Sequence, residues 1–209
     1  MKILSISKLA IPDVKVVRFA RFCDDRGYFS EHFRVSDFVG HPELGLFASP
    51  ALQQCNEAYS RRGTVRGLHF QWQPKMGKLV RPLMGRLLDF VLDVRPGSPS
   101  FGKIIGYDMP AMRERDFAEW IWVPPGFAHG TVFPEESAIE YFCTAAWNPS
   151  AEAGISPLAP DLDWSLCDPS LRTLFEEIIA SDPLMAPKDR AAPTLTAWRT
   201  DPRAALISG

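Results

Sequence analysis

The sequence predicts an all-β sandwich or barrel closed by a short helical cap near its C-terminal end. Short apolar or alternating runs, separated by turn residues, recur from Ile3 to Thr144. The 19 prolines cluster after residue 95 and disfavour long helices there. Helical spacing is clear in one stretch alone, after Asp168. A chain of 209 residues accommodates one such sandwich with extensions, and 46% hydrophobic with 11% aromatic residues gives it a substantial core.

Taken in order, residues 1–20 alternate weakly (Ile3, Leu4, Ile6, then Val14, Val16, Val17) and predict one or two edge strands around Pro12. Asp25-Arg26-Gly27 reads as a turn, with a strand from Tyr28 to Phe33. Ser36 to Val39 fits a single helical turn, and another strand starts at Gln53 to Asn56. Arg61-Arg62-Gly63 turns into the strand Arg66-Gly67-Leu68-His69-Phe70-Gln71. Lys78 opens the next, and Leu87 to Val94 is the most regular of all.

In that last run Leu88, Phe90, Leu92 and Val94 share one apolar face, while Leu87, Asp89, Val91 and Asp93 share the other. A face that mixes carboxylates with Leu and Val suits the lining of a partly polar cavity; a solvated outer face reads equally well from parity. Trp120 to Val123 is a short strand, Pro124-Pro125-Gly126 a tight turn bearing His129, and Ala138 to Thr144 a further strand. Asp168-Pro169 has the form of an N-cap followed by a first-turn proline. Leu171, Leu174, Phe175, Ile178 and Ile179 then make one amphipathic helix to about Ala180. The Pro- and Ala-rich tail is expected to wrap over the sandwich. We expect residues 1–165 to form the sandwich and 166–209 the cap.

A net charge of −2 offers no field for nucleic acid or an anionic membrane. Cys23, Cys55, Cys143 and Cys167 lie far apart without a C-x-x-C, so neither a zinc ribbon nor a redox pair is predicted. With no signal peptide and no apolar run near the ~20 residues that span a bilayer, a cytoplasmic location is the expectation.

Among chemistry-bearing residues, a histidine in a strand such as His69 is on its own more often structural than catalytic. Lys78 at the head of an apolar strand reads as a snorkelling side chain or as a cation held at a developing oxyanion. The P-x-G-x-x-H pattern of Pro124 or Pro125, Gly126 and His129 resembles the second metal-binding motif of the cupins. The first motif needs H-x-H and a following glutamate, whereas this chain has His69-Phe70-Gln71 and no glutamate before Glu114. The barrel is therefore suggested without its metal.

A longer series of motifs runs in order through the chain. It comprises Asp24-x-Arg26-Gly27-x-Phe29-x-Glu31, Gln54-x-Asn56, Arg66-Gly67-Leu68-His69-x-Gln71 and Gly77-Lys78-Leu79-Val80-Arg81. Asp93-x-Arg95-x-Gly97-Ser98-Pro99-x-Phe101-Gly102, Pro124-Pro125-Gly126-Phe127-Ala128-His129-Gly130 and Tyr141-x-Cys143-Thr144 continue it. Asp163-Trp164 and Lys188-Asp189-x-x-x-Pro193 close it. The series resembles the dTDP-4-dehydrorhamnose 3,5-epimerase family, metal-free cupins with a jelly-roll sandwich.

The resemblance implies a cofactor-independent isomerase that inverts C3, C5 or both of a nucleotide-linked 4-keto-6-deoxy sugar through an enolate. By that likeness His69 is the base, Asp189 its orienting carboxylate, Lys78 the cation near the enolate oxygen and Tyr141 the acid on the opposite face. Arg66 is implied at the diphosphate, Gln54 and Asn56 beside the ligand, and Asp89 and His129 as pocket-lining groups. Arg26, Phe29 and Glu31 match a segment that reaches the neighbouring subunit's site in a homodimer, Phe29 near the nucleotide base. Trp147 stands where the family typically has a tyrosine, which keeps an aromatic surface and loses a hydroxyl.

One difficulty arises from spacing. Arg66 and His69 are three apart and so lie on opposite faces of a straight strand, unless a bulge at Gly67 intervenes or Arg66 sits at the barrel rim. Three rival readings remain: a C3-only or C5-only epimerase of another nucleotide sugar, a metal-dependent cupin oxygenase or isomerase using His69 and His129, and a non-catalytic sugar-nucleotide binder. Deuterium counting separates the first, metal analysis the second, and any exchange at all the third.

Overall fold

The computed structural model describes residues 1–39, 41–44 and 52–207. Two sheets face each other. The first takes β1 (Ile3–Lys8), β2 (Lys15–Ala20), β5 (Gln54–Ser60), β7 (Lys78–Met84), β10 (Phe117–Val123) and β12 (Ser137–Cys143), in the order β1-β2-β10-β7-β12-β5. The second has the order β13-β6-β11-β8-β9, from β6 (Thr64–Gln71), β8 (Arg86–Asp93), β9 (Ile104–Pro110), β11 (Phe127–Phe133) and β13 (Glu152–Gly154). A small ribbon of β3 (Phe22–Asp24) and β4 (Gly27–Phe29) stands apart. This is the jelly-roll sandwich expected, with its helices, one short turn at Val35–Val39 apart, gathered towards the C-terminal end.

Three apolar layers follow from the alternation along the strands. Val80, Leu87, Val91, Ile105, Ile121 and Phe127 fill the space between the sheets. The outer face of the first sheet, with Phe19, Trp120 and Trp122, lies under the segment that holds Phe33, α1 (Val35–Val39) and Leu44. On the outer face of the second sheet, Leu88, Phe90, Leu92 and Val94 meet the cap. The apolar side of β8 thus faces the cap, and its mixed side faces inward. Asp89 and Asp93 are both fully buried, which removes the reading of a solvated outer face.

The cap begins where the capping signal falls. Asp168 accepts a 2.8 Å bond from the Ser170 amide, Pro169 takes the first turn, and α2 runs Pro169–Ala180 with Leu171, Phe175 and Ile178 buried. The tail then adds β14 (Leu184–Met185) in parallel to β6, α3 (Pro187–Arg190) and α4 (Leu195–Arg199). Trp198 anchors it. The indole is 2% exposed, its ring lies edge-on 4.7 Å from Phe70, and its Nε1 donates to the Val94 carbonyl at 2.9 Å. Trp198→Ala is expected to lower stability by about 3–5 kcal/mol, the range for a large aromatic truncated in a core, measured by denaturant titration.

Several local expectations need correction. The strand placed at Tyr28 to Phe33 is only Gly27–Phe29, because Phe29 projects into solvent at 70% exposure and, among the described residues, β4 pairs with β3 alone. β2 is internal, flanked by β1 and β10. His129 does not ride on the turn; it is the third residue of β11, a central strand between β6 and β8. β9 was not predicted at all. Among the described residues, no helix is long and apolar enough to cross a membrane.

Candidate active site

His69 sits near the middle of β6, and the way that strand bends decides which of its side chains face inward. Across the β6–β11 pair, His69 is opposite His129 but Arg66 is opposite Thr131, so three steps on β6 answer two on β11. The extra residue is a bulge, and it puts Arg66 and His69 on one face. Gly67 is the residue that permits it. Its φ is +109°, and a Cβ there would come within 2.6 Å of the His129 carbonyl oxygen. The spacing difficulty is resolved by this bulge.

His69 Nε2 lies 2.7 Å from Asp189 Oδ1, and Asp189 Oδ2 accepts the Gly67 amide at 3.2 Å. Asp189 is 3% exposed at the third position of α3. Burial opposes its ionisation. The bond and charge of His69, the Gly67 amide and Lys188 outweigh that and hold the carboxyl below its ordinary range. A carboxylate on Nε2 leaves Nδ1 as the only ring nitrogen that can take up a proton.

The opposite sheet supplies the other two groups. Lys78 heads β7, paired with Val123 and Cys143, and Tyr141 lies on β12 between Val80 and Asn56. Lys78 is half-buried and lines the cavity between the sheets. Burial lowers its pKa; Cys143, Glu152 and Asp89 oppose that shift and Lys188 adds to it. Among the described residues no carboxylate is within ion-pair distance of its ammonium. Burial pushes the Tyr141 phenol upward, helped by Cys143 and Glu152 and resisted by Arg66, so it carries its proton at neutral pH.

Two cavities share these residues as a common wall. One, of about 600 Å³, is lined by Arg66, His129, Thr131 and the tail from Pro183 to Asp189. The other, of about 390 Å³, is lined by Gln54, Asn56, Gln71, Cys143, Trp147 and Glu152. His69, Lys78 and Tyr141 belong to both. Arg66 is held by Ser60 Oγ at 3.0 Å and the Tyr59 carbonyl at 2.9 Å, both neutral, and among the described residues no carboxylate pairs with it. Gln54 bonds Asn56 at 2.9 Å and accepts the Trp147 amide at 2.8 Å, so one short network orients three of the lining residues.

His129 and Asp89 make a second, deeper pair at 2.8 Å, with Asp89 Oδ1 buried and unpartnered. Both histidines thus have their Nε2 committed to a carboxylate. Among the described residues there is no group of three His, Cys, Asp or Glu placed to hold a metal ion. Arg26, Phe29 and Glu31 line neither cavity: Arg26 pairs with Asp24 at 2.7 Å, Glu31 with Arg34 and the N-terminal amine, and Phe29 is bare.

Reading the sequence overlooked Glu152 and Lys188, which meet at 3.6 Å and join β13 to the tail across the two cavities. Lys188 adjoins Asp189 in the Lys188-Asp189-x-x-x-Pro193 motif. Glu152 carried no signal beyond a carboxylate in a three-residue strand.

A histidine on one sheet, held by an aspartate of the tail and set against a half-buried lysine and a protonated tyrosine on the other sheet, is the arrangement of an acid–base isomerase on a cupin-type barrel. The family model of dTDP-4-dehydrorhamnose 3,5-epimerase matches residues 8–197. The chain belongs to the dTDP-4-dehydrorhamnose 3,5-epimerase family. It is 38% identical over 174 residues to the Pseudomonas aeruginosa dTDP-4-dehydrorhamnose 3,5-epimerase, a match covering 80% of this chain and 90% of that protein. The Neisseria gonorrhoeae enzyme of the same description is 34% identical over 204 residues, 97% of this chain; the chain spans 55% of that relative's length. A crystal structure of the Legionella pneumophila dTDP-6-deoxy-D-glucose-3,5-epimerase in complex with dTDP-4-keto-L-rhamnose superposes with a TM-score of 0.79. It is 31% identical, with 98% of this chain and 97% of that one covered.

Proposed function

We propose that this chain epimerises a dTDP-linked 4-keto-6-deoxy sugar at C3, C5 or both, with no cofactor. The observation that carries the reading is the placement of His69, held by Asp189 of the tail, against Lys78 and Tyr141 on the facing sheet. His69 Nδ1 takes the proton from a carbon α to the ketone. The electron pair of that C–H bond moves onto the carbonyl oxygen, and Lys78 stabilises the enolate. Tyr141 then gives its phenolic proton to the other face of the carbon and regains one from solvent, while His69 releases its own.

The pK gap between such a C–H and an imidazole is about 12 units, roughly 16 kcal/mol at 1.36 per unit, so no base alone suffices. A preorganised ammonium in a site screened from water supplies a large part of the difference. Asp189 does not take a proton; it fixes the tautomer and stabilises the imidazolium.

Arg66, with its charge free, suits the diphosphate. Gln54, Asn56, Trp147, Asp89 and His129 shape the rest of the pocket. The ribbon bearing Arg26, Phe29 and Glu31 serves a second copy's cavity in a homodimer, a reading supported by the exposure of Phe22, Tyr28 and Phe29. A nucleotide-linked substrate fits a cytoplasmic enzyme.

Incubation with dTDP-4-keto-6-deoxyglucose in D2O is expected to introduce deuterium at C3, C5 or both, read by mass spectrometry. No exchange at either carbon, with this and related nucleotide sugars, overturns the catalytic reading. A single-carbon epimerase is favoured by one observation: Tyr141 is the one phenol among the described residues lining the two cavities, since Trp147 stands at the other aromatic position. One deuterium against two decides between them.

A further inference from the structure

His69 is confined on three sides. Asp189 holds Nε2, and β11 flanks the strand on one edge. The other edge is covered by β13, in which Gly154 stands directly opposite His69.

A Cβ on Gly154 would lie 3.1 Å from the Leu68 carbonyl oxygen, 3.3 Å from His69 Cδ2 and 3.9 Å from Ala192 Cβ. Cδ2 is the ring atom bonded to Nε2, the nitrogen that meets Asp189. Ala192 follows α3, the turn that carries Asp189, and its amide bonds the Asp189 carbonyl at 3.4 Å. A methyl at position 154 would therefore enter the angle between the imidazole and the segment that holds its carboxylate.

The backbone there has little room to yield. Ile155 exchanges two hydrogen bonds with Leu68, at 3.1 and 2.9 Å, and its side chain is fully buried. The next residue, Ser156, donates to the Pro193 carbonyl at 2.9 Å and so ties the same strand to the tail. The imidazole is less restrained. Its side chain is 24% exposed, towards the cavities, and it can give by a few tenths of an ångström only by moving that way and away from Asp189.

We infer that Gly154 is a positioning residue for the base: the missing side chain lets the imidazole and Asp189 close to bonding distance. The inference rests on the reading of His69 as the base. It does not depend on a special backbone angle, since Gly154 φ lies outside the left-handed region.

A test pairs two glycine substitutions of comparable tightness. Gly106→Ala, on β9, would press a methyl against Phe90 at 3.0 Å and against Cys167 and Leu171 at 3.2 Å, under the cap and away from both cavities. Gly154→Ala is expected to lower kcat about tenfold, a few tenths of an ångström being a fraction of the displacement that loses a hundredfold. KM should stay within about twofold. The Nε2 resonance of His69 in 15N-histidine spectra, assigned by its loss in His69→Asn, should shift. Gly106→Ala should lower the thermal midpoint and leave kcat and that resonance unchanged.

Should Gly154→Ala not fold, Ala192→Val enlarges the tail side of the same gap and is expected to lower kcat and shift the resonance in the same direction. Wild-type kcat with an unshifted His69 resonance overturns the inference. So does an equal kcat loss in Gly106→Ala, which would trace the effect to general strain. If His69→Asn turns over at the wild-type rate, the reading of His69 as base fails, and the resonance alone then decides the role of Gly154.

Discussion

His69→Asn is expected to reduce both turnover and deuterium incorporation by about 10³- to 10⁴-fold, the upper range for removal of a positioned general base. The substitution preserves what surrounds the ring. An asparagine amide can still donate towards Asp189, Gly67 keeps its bond to the second carboxylate oxygen, and the bulge that aims position 69 inward depends on Gly67 and not on the imidazole. The far-UV spectrum and thermal midpoint should therefore stay near those of the wild type. The loss should not be repaired from across the cavity, because Lys78 and Tyr141 lie on the facing sheet and, in the proposed scheme, serve the enolate oxygen and the opposite face of the carbon. His129 is the nearest substitute, opposite His69 in register, but its Nε2 is held by Asp89 deeper in the sheet. Exchange undiminished by His69→Asn would remove the base from this scheme.

What could be read in advance divides along physical lines. β8 was legible although seven of its eight residues are buried, because Asp89 and Asp93 fall on one face only and mark a period of two. β11 was not, since all seven of its residues are buried and it has no such marker to set one face apart from the other. β9 was lost for another reason. Gly106 interrupts its apolar run, and it does so because Phe90, Cys167 and Leu171 approach too closely for a side chain. The helix α2 announced itself through the Asp168-Pro169 cap and the helical recurrence of apolar residues from Leu171 to Ile179.

The site shows the same split between local and distant causes. His69, Lys78 and His129 each sat in a short run with turn or strand character. Asp189 did not, because the contact that gives it meaning spans 120 positions and leaves no periodicity behind; only the family resemblance pointed to it. The resemblance had no means of supplying the bulge at Gly67, which appears only when β6 is laid against β11. Nor did it supply the closeness of Gly154 to the imidazole, which requires the tail in place.

Lys78→Met is expected to act on activity and stability with opposite signs. Removing a preorganised donor from a developing oxyanion loses about 10²- to 10³-fold in kcat. Methionine matches the length of the lysine stem and adds no charge to a half-buried position between Val123 and Cys143. Because burial lowers the Lys78 pKa, the charged form is disfavoured by the folded state. Between the folded value and the ordinary 10.5, the unfolded chain holds a proton that the folded chain has released, so wild-type stability rises with pH across that window. Below the folded value both states are charged and the penalty is present in full. Lys78→Met removes it there, and denaturant titration at neutral pH should find the variant more stable than the wild type, with the difference shrinking as pH approaches 10.5. Activity follows the same proton. The ammonium is what opposes the enolate charge, so the alkaline limb of kcat/KM in the wild type should fall below 10.5 and vanish from the residual rate of the variant. A variant that lost stability along with turnover would make Lys78 a structural residue, since only a charge held for the transition state is expected to weaken the resting protein.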